Sequence, residues 1–159
     1  MSKSKSSCRN LVIVLGDQLN VDSAAFDGFD ANCDVVWMAE VAEESTHVWT
    51  HKARIVMFIA SMRHFRDALV KRKINVQYRQ LGVRGNKGTL PAELVSAVRK
   101  LKPERLILVE PGEWRVRESL LATAEKLGLE LEVRPDRHFF YTLEEFREHA
   151  KGRKQLRLE

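Results

Sequence analysis

Three continuous apolar runs, each followed at once by acidic or amide residues, constrain what this chain can fold into. The runs cover residues 11–15, 35–38 and 106–109. Uninterrupted Val, Ile and Leu residues suit strands that are covered on both faces, as in a parallel sheet between two layers of helices. In such a sheet, ligands bind in the crevice beyond the carboxyl ends of the strands. We therefore expect a binding site where the polar residues that follow these runs meet.

Strands and helices alternate along the rest of the chain. Strands are predicted at residues 11–16, 35–41, 75–81, 105–110 and 131–134. Helices are predicted at residues 50–72, 89–101, 113–127 and 142–150, while the turn-rich connection between the first two strands is expected to be irregular. This alternation predicts an α/β fold: a five-stranded, doubly wound parallel sheet that is Rossmann-like, with strand order 3-2-1-4-5.

Composition and charge narrow the classes of function. The net charge is +5, but much of the basic excess lies on the outer faces of predicted helices, so nucleic-acid binding by this segment alone is not favoured. The apolar stretches are strand-sized, so no membrane span is expected. The polar N-terminus lacks the apolar core of a secretory signal, and we expect a cytoplasmic protein. We divide the chain into a mobile tail (1–10), an α/β domain (11–150) and the start of a linker to a further domain (151–159).

Several well-known sites are missing from the sequence. The first strand ends in a lone Gly16 followed by Asp17, whose carboxylate would repel a pyrophosphate, and no Walker A loop or Gly-x-Ser-x-Gly elbow occurs. Cys8 and Cys33 form no Cys-x-x-Cys pair, so no zinc or iron–sulfur site is expected from this chain alone. His47 and His51 could share a helical face, but no third ligand is in register, and we predict no metal site.

What remains is a set of polar residues at the predicted strand ends, with one aromatic residue and several basic residues nearby. Carboxylates and amides there suit hydrogen bonds to a neutral, donor-rich heterocycle or to ribityl-type hydroxyls, and Trp114 is available for stacking. The set comprises Asp17, Gln18, Glu40, Glu44, Glu110 and Glu113, with Trp114, His47, His51 and Lys52.

Some of these residues have an equally simple structural explanation. Asp17 is as well suited to capping a turn as to binding a ligand. Glu113 stands at the start of a helix, where a carboxylate stabilises the helix dipole in any case. Glu40 and Glu110 end buried strands on either side of the first strand, which favours a functional role for them.

These residues belong to longer motifs that resemble a known family. The chain is similar to the photolyase-related proteins, the iron–sulfur bacterial branch of the cryptochrome/photolyase family, which includes prokaryotic (6-4) photolyases. The likeness extends over nearly the whole chain from about Leu11. The motifs are Gly16-Asp17-Gln18-Leu19, Glu40-Val41-x-Glu43-Glu44-x-x-His47-Val48 with His51-Lys52, Ser61-Met62-Arg63-His64-Phe65, Glu110-Pro111-Gly112-Glu113-Trp114, and Gly152-Arg153-Lys154-Gln155-Leu156-Arg157.

The resemblance implies that this segment is an antenna domain that binds 6,7-dimethyl-8-ribityllumazine. The family often has Tyr at the position of His47, which bears on the identity and affinity of the chromophore. The implied cofactor-binding residues are Gly16, Asp17, Gln18, Leu19, Glu40, Val41, Glu44, His47, Lys52, Glu110, Pro111, Gly112, Glu113 and Trp114.

The resemblance places the repair chemistry outside this segment. A C-terminal helical domain of the same protein would hold FAD, a four-cysteine [4Fe–4S] cluster and the damaged-DNA site, so no catalytic residue or metal ligand is expected here. The intact protein would be an FAD-dependent DNA photolyase, a carbon–carbon lyase, or a cryptochrome. Two alternatives stay open: a stand-alone nucleotide-binding α/β enzyme that uses the same strand-end site, and a flavodoxin-like partner-binding domain with an empty crevice.

Overall fold

The sheet is the framework on which the polar strand ends are placed. A computed structural model describes residues 8–46 and 48–153 of the chain. Within them, five parallel strands form one sheet in the order β3-β2-β1-β4-β5, which confirms the predicted fold and strand order. The strands are β1 (Asn10–Ile13), β2 (Val35–Ala39), β3 (Val76–Arg79), β4 (Arg105–Val109) and β5 (Leu131–Arg134).

The helices connect these strands and cover both faces of the sheet. The irregular first connection holds only a 3-10 turn at Ala24–Phe26, as expected. The helices are α1 (Ala42–Thr46), α2 (Lys52–Lys71), α3 (Leu90–Leu101), α4 (Trp114–Leu127) and α5 (Leu143–Ala150). Of these, α1 was not predicted, because its five residues include no buried apolar position and so carry no periodic signal.

Several helix ends follow the local chemistry of the sequence. The Thr89 hydroxyl accepts a hydrogen bond from the Ala92 N–H and caps α3. Gly128 ends α4 in the left-handed conformation with φ of 67°. At α5, Thr142 and Glu145 form the predicted capping box.

Two apolar layers fix the sheet between the helices. On one face, alternate residues of the central strands pack against α3 and α4, with Leu94 and Leu120 fully buried. On the other face, the strands pack against the 3-10 turn and the C-terminal half of α2, which supplies Met62, Phe65 and Leu69. Because the inner residues of both layers are apolar, the strands read as continuous apolar runs.

The two ends of the described chain differ in how tightly they pack against the rest of the protein. Residues 8–10 of the predicted tail lie against the body, since Cys8 is buried and Arg9 pairs with the buried carboxylate of Asp34. By contrast, α5 buries none of its residues. The segment around it exposes large apolar side chains, namely Phe139, Phe140, Tyr141, Leu143 and Phe146. No helix among the described residues is long and apolar enough to cross a membrane.

Candidate functional site at the strand ends

A cleft of about 360 Å³ opens beyond the carboxyl ends of β1, β2 and β4. This is where the order of connection reverses around β1, and therefore where a doubly wound sheet binds its ligands. The first two strands end earlier in the chain than the sequence predicted. β1 ends at Ile13 and β2 at Ala39. Val14 and Glu40 still donate backbone hydrogen bonds to the neighbouring strands, and they line the cleft with the residues that follow.

The structure brings together eight of the residues predicted for this site. All eight lie in the lining, on the loops after β1 and β4 and on the segment from the end of β2 through α1. They are Gly16, Asp17, Glu40, Val41, Glu44, Pro111, Gly112 and Glu113.

At Gly16, the side chains of α2 pack directly against the loop after β1. A Cβ atom at this position would lie 2.3 Å from Phe58 Cζ and 2.9 Å from Met62 Sδ, inside the contact distance of real atoms. Only glycine leaves room for these two side chains, so Gly16 sets the distance between the floor and one wall of the cleft.

The cleft opposes the ionisation of Asp17. Loss of hydration raises the pKa of Asp17, and the nearby carboxylates of Glu113 and Asp136 raise it further. Gly112 lies across from this side chain, since a Cβ there would be 3.9 Å from Asp17 Oδ2. The loops after β1 and β4 therefore meet at Asp17.

Glu40 lines the cleft, but protein groups bind its carboxylate. It is 2% exposed and accepts hydrogen bonds from Arg63 Nε at 2.7 Å and Nη2 at 2.9 Å. The Tyr78 hydroxyl at 2.7 Å and the Leu81 N–H at 2.8 Å complete the set. Burial alone would raise the pKa of Glu40, but these donors outweigh it, and the pKa is lowered. Glu40 thus joins β2, α2 and the residues after β3.

Five predicted residues lie outside the lining. The Gln18 amide donates to the carbonyls of Val109 and Glu110, at 3.3 and 3.0 Å, and so ties the loop after β1 to the end of β4. Glu110 Oε1 pairs with Arg117 Nε at 2.9 Å, and that guanidinium lies 5.3 Å from the ring centroid of Trp114, which is 71% exposed.

The other two side chains also lie away from the cleft. Leu19 packs on the apolar layer beneath α2. Lys52 is exposed at the first turn of α2. His47, and with it the predicted His47–His51 face, lies outside the described residues.

Arg115 is a cleft residue that the sequence reasoning missed. Its Nη2 donates to Glu44 Oε1 and Glu113 Oε2, both at 3.0 Å, and these bonds, with Glu44 contributing most, raise the pKa of Arg115. The guanidinium therefore bridges α1 and the start of α4. Its Nε is buried and has no acceptor among the described residues. A cation in the first turn of a helix opposes the helix dipole, and this was the one available signal.

Helix α2 supplies the apolar wall of the cleft. Its predicted apolar stripe has two roles: the C-terminal half belongs to the core, while Ile55, Phe58 and Ile59 line the cleft with Arg54 beside them. Phe58 is 36% exposed and so presents part of its ring to the cavity. Periodicity cannot distinguish a core residue from one that faces a cavity, since both lie on the same helix face.

The cleft combines an apolar wall with carboxylates and one bridging guanidinium. Such a surface can hold an aromatic or heterocyclic ring and hydrogen-bond its polar substituents. The carboxylates of Asp17 and Glu113 would repel a phosphate group. Over residues 8–46 and 48–153, no group of three or more His, Cys, Asp or Glu side chains could hold a metal ion.

Two comparisons bear on the family. The family model for deoxyribodipyrimidine photo-lyase-related protein matches residues 12–159. A protein named (6-4) photolyase from Agrobacterium fabrum (strain C58 / ATCC 33970) is 38% identical over 149 residues. This match covers 94% of the chain but 29% of the relative, so the chain spans less than a third of that relative's length.

The family match includes every segment that lines the cleft, from the loop after β1 to the start of α4. It also extends over all five helices. The chain belongs to the family of deoxyribodipyrimidine photo-lyase-related proteins.

Proposed function

We propose that this chain is the antenna domain of a photolyase-related protein and that its cleft binds 6,7-dimethyl-8-ribityllumazine. When bound, the chromophore would absorb blue or near-ultraviolet light and pass the excitation to a flavin elsewhere in the longer protein. The observation that carries the proposal is a cleft at the reversal point of the sheet, with an apolar wall, acidic acceptors and an orphaned buried donor.

The residues present fit the chemistry of this ligand. Phe58 and Ile55 offer an apolar surface for a heterocyclic ring. Asp17 and Glu113 offer acceptors for ribityl hydroxyls and ring N–H groups. Arg115 Nε lacks an acceptor, which a ring carbonyl could supply, because a buried donor without a partner costs free energy until it is satisfied.

The charge of the cleft also argues for a ligand without phosphate. Phosphate-binding sites in sheets of this type use a glycine-rich turn and a helix N-terminus. Here the loop after β1 presents Asp17 instead, and the first turn of α4 has Glu113 directly before it. A stand-alone nucleotide-binding enzyme is therefore the less favoured alternative.

The activity of the longer protein is part of the same proposal. The relative named (6-4) photolyase extends well beyond the matched region, which covers 29% of it. We propose that FAD, a [4Fe–4S] cluster and the contact with damaged DNA belong to a helical domain that follows this one in the intact protein. The exposed apolar side chains of residues 139–146 are candidates for contact with that domain.

A fluorescence titration of the 159-residue chain with 6,7-dimethyl-8-ribityllumazine tests the proposal, with riboflavin and ATP as comparison ligands. We expect saturable lumazine binding that Asp17→Asn and Glu113→Gln each weaken by about tenfold, as expected for the loss of one charged hydrogen-bond partner. Asp17→Asn should not disturb the fold, because the cleft already disfavours the charged form of that residue.

Glu118→Gln is the matched control, because Glu118 pairs with Arg117 on the exposed face of α4, outside the cleft. It should bind lumazine as the unaltered chain does. Tight ATP binding without lumazine binding would overturn the proposal in favour of a nucleotide enzyme. Lumazine binding that neither cleft substitution weakens would place the site elsewhere.

A further inference from the structure

Contrary to the expectation from the sequence, we propose that the edge of the sheet opposite the cleft binds the phosphate backbone of nucleic acid. Six exposed cations lie there, at the ends of α2 and α3, and we call this set the amino-edge patch. Its members are Lys71, Arg72, Lys73, Arg99, Lys100 and Lys102.

The topology brings these six residues to one side of the molecule. Crossover helices run antiparallel to the strands they connect, so α2 and α3 both end at the amino edge of the sheet. Lys100 Nζ donates to Gln77 Oε1 at 2.9 Å, which ties the end of α3 to β3, the strand that follows α2. Because α2 and α3 lie on opposite faces of the sheet, the patch wraps around the amino edge from one face to the other.

The charges of the patch are not neutralised by neighbouring side chains. Among residues 8–46 and 48–153, no member of the patch forms an ion pair. The nearby carboxylate of Asp67 is already paired with Arg66 at 2.7 Å. In the cleft, by contrast, Arg115 is held by acidic residues on both sides. The exposed carboxylates of Glu104 and Glu130 lie at the same edge, just before β4 and β5, and the six cations of the patch outnumber them.

Two lysines of the patch stand at backbone positions that disfavour lysine. Lys73 and Lys102 follow the last turns of α2 and α3 with φ of 62° and 49°, in the left-handed region. Glycine or asparagine is usual at such helix ends, because a Cβ atom is disfavoured there. Favourable interaction with the helix dipole is already available from Lys71, Arg99 and Lys100, so it does not explain lysine at the strained positions.

The chemistry of the patch favours a phosphate polymer over a lipid surface. Membrane-surface helices need a broad apolar face beside their cations. In residues 68–78 and 97–104, Val70 is the large apolar side chain that is exposed, and no aromatic ring stands beside the cations at the helix ends. Cations on both sides of one edge, without an apolar face beside them, suit the phosphates of a duplex instead. The patch is separate from the cleft, so this proposal does not depend on the chromophore.

Fluorescence anisotropy with a fluorescein-labelled, undamaged DNA duplex tests the proposal on the 159-residue chain. Between about 50 and 200 mM NaCl, we expect the logarithm of the association constant to fall with log salt with a slope of about −5 if all six cations contact phosphates. Arg72→Gln/Lys100→Gln should make that slope shallower by about 2.

The matched control is Arg84→Gln/Lys87→Gln, which removes two exposed cations from the loop after β3, at the opposite edge. It should leave the slope unchanged. An equal effect of both pairs would mean that net charge alone causes binding, and this would overturn the proposal. Absence of duplex binding at low salt, or binding only to phosphatidylserine vesicles, would also overturn it.

The variant Lys73→Gly/Lys102→Gly separates binding from a structural role. If lysine is present there for its charge, relief of the left-handed strain should keep or raise the melting temperature while the affinity for the duplex falls several-fold. A lower melting temperature with unchanged affinity would show that the lysines serve the fold instead.

Discussion

At the scale of single residues, the carboxylates of the cleft divide into those that hold the fold and those that are free for a ligand. Glu40 has four donors around a buried carboxylate. Glu113 is exposed, and although it is the N-cap of α4, its side chain makes no capping bond and pairs with Arg115. Position at a strand end is thus not enough to identify a ligand contact.

We expect Glu40→Ala to lower the free energy of unfolding by about 3 kcal/mol, because it leaves Arg63 and Tyr78 without their acceptor in a partly buried site. Urea denaturation followed by circular dichroism measures this loss. Glu113→Gln is the comparison and should change stability by less than about 0.5 kcal/mol, since its ion pair is exposed. Equal stabilities of the two variants would contradict the division of the cleft carboxylates into structural and ligand-binding ones.

At the scale of elements, α2 is both a layer of the core and a wall of the cleft. Its buried residues, Met62, Phe65 and Leu69, anchor it to the sheet. Its N-terminal half approaches the loop after β1 at Gly16. The distance between the helix and the loop therefore depends on Gly16, and this distance sets the width of the cleft.

Gly16→Ala tests this dependence. The added methyl group would overlap Phe58, so we expect a loss of about 1–3 kcal/mol in the free energy of unfolding and a changed cleft. Gly16→Ala/Phe58→Ala should regain part of that loss, and a double-mutant cycle from urea unfolding gives the coupling. Additive effects of the two substitutions would show that the ring and the glycine do not limit each other.

The sequence predicted most of the elements but not their ends at the site. β5 was predicted residue for residue, because Gly128 and Pro135 bound it on both sides. β1 and β2 were predicted to run on to Gly16 and Val41. The first apolar run continues to Leu15, past the last ladder pair at Ile13, and apolar Val41 follows Glu40 after the second. Hydrogen bonding to the neighbouring strand, not hydropathy, decides where a strand stops.

At the scale of the whole molecule, acid should weaken the fold through a buried ion pair at the start of β1. Burial alone would raise the pKa of Asp34, but hydrogen bonds from Arg9 and the Asn10 and Asp30 N–H groups outweigh it and lower the pKa to about 2. A carboxyl group whose pKa is lowered on folding stabilises the protein above its unfolded pKa, near 4. That contribution disappears as the pH falls from about 4 through 2.

Asp34→Asn should therefore cost about 2 kcal/mol of unfolding free energy at pH 7, and the cost should shrink towards pH 2. Urea titrations of both chains at a series of pH values measure this difference. The lowered pKa of Glu40 acts in the same direction, so the unaltered chain should also weaken in acid. A difference between the chains that is independent of pH would contradict the assignment to ionised Asp34.

The sequence by itself determined the fold class, the strand order and the edge of the sheet at which polar residues gather. These follow from local patterns: continuous apolar runs, helix periodicity, caps and turn residues. It also placed Asp17, Glu40, Glu44 and Glu113 in the cleft lining, because the carboxyl ends of parallel strands lie at one edge. The family resemblance added Gly16, Val41, Pro111 and Gly112.

Only the tertiary structure decided what each of those residues contacts. Glu40 meets Arg63 across 23 residues of chain, and Arg115 meets Glu44 across 71. Such pairings depend on how helices pack on the sheet, and no local pattern encodes them. For the same reason, the cations at the ends of α2 and α3 read as separate helix ends in the sequence, and the fold joins them into one surface.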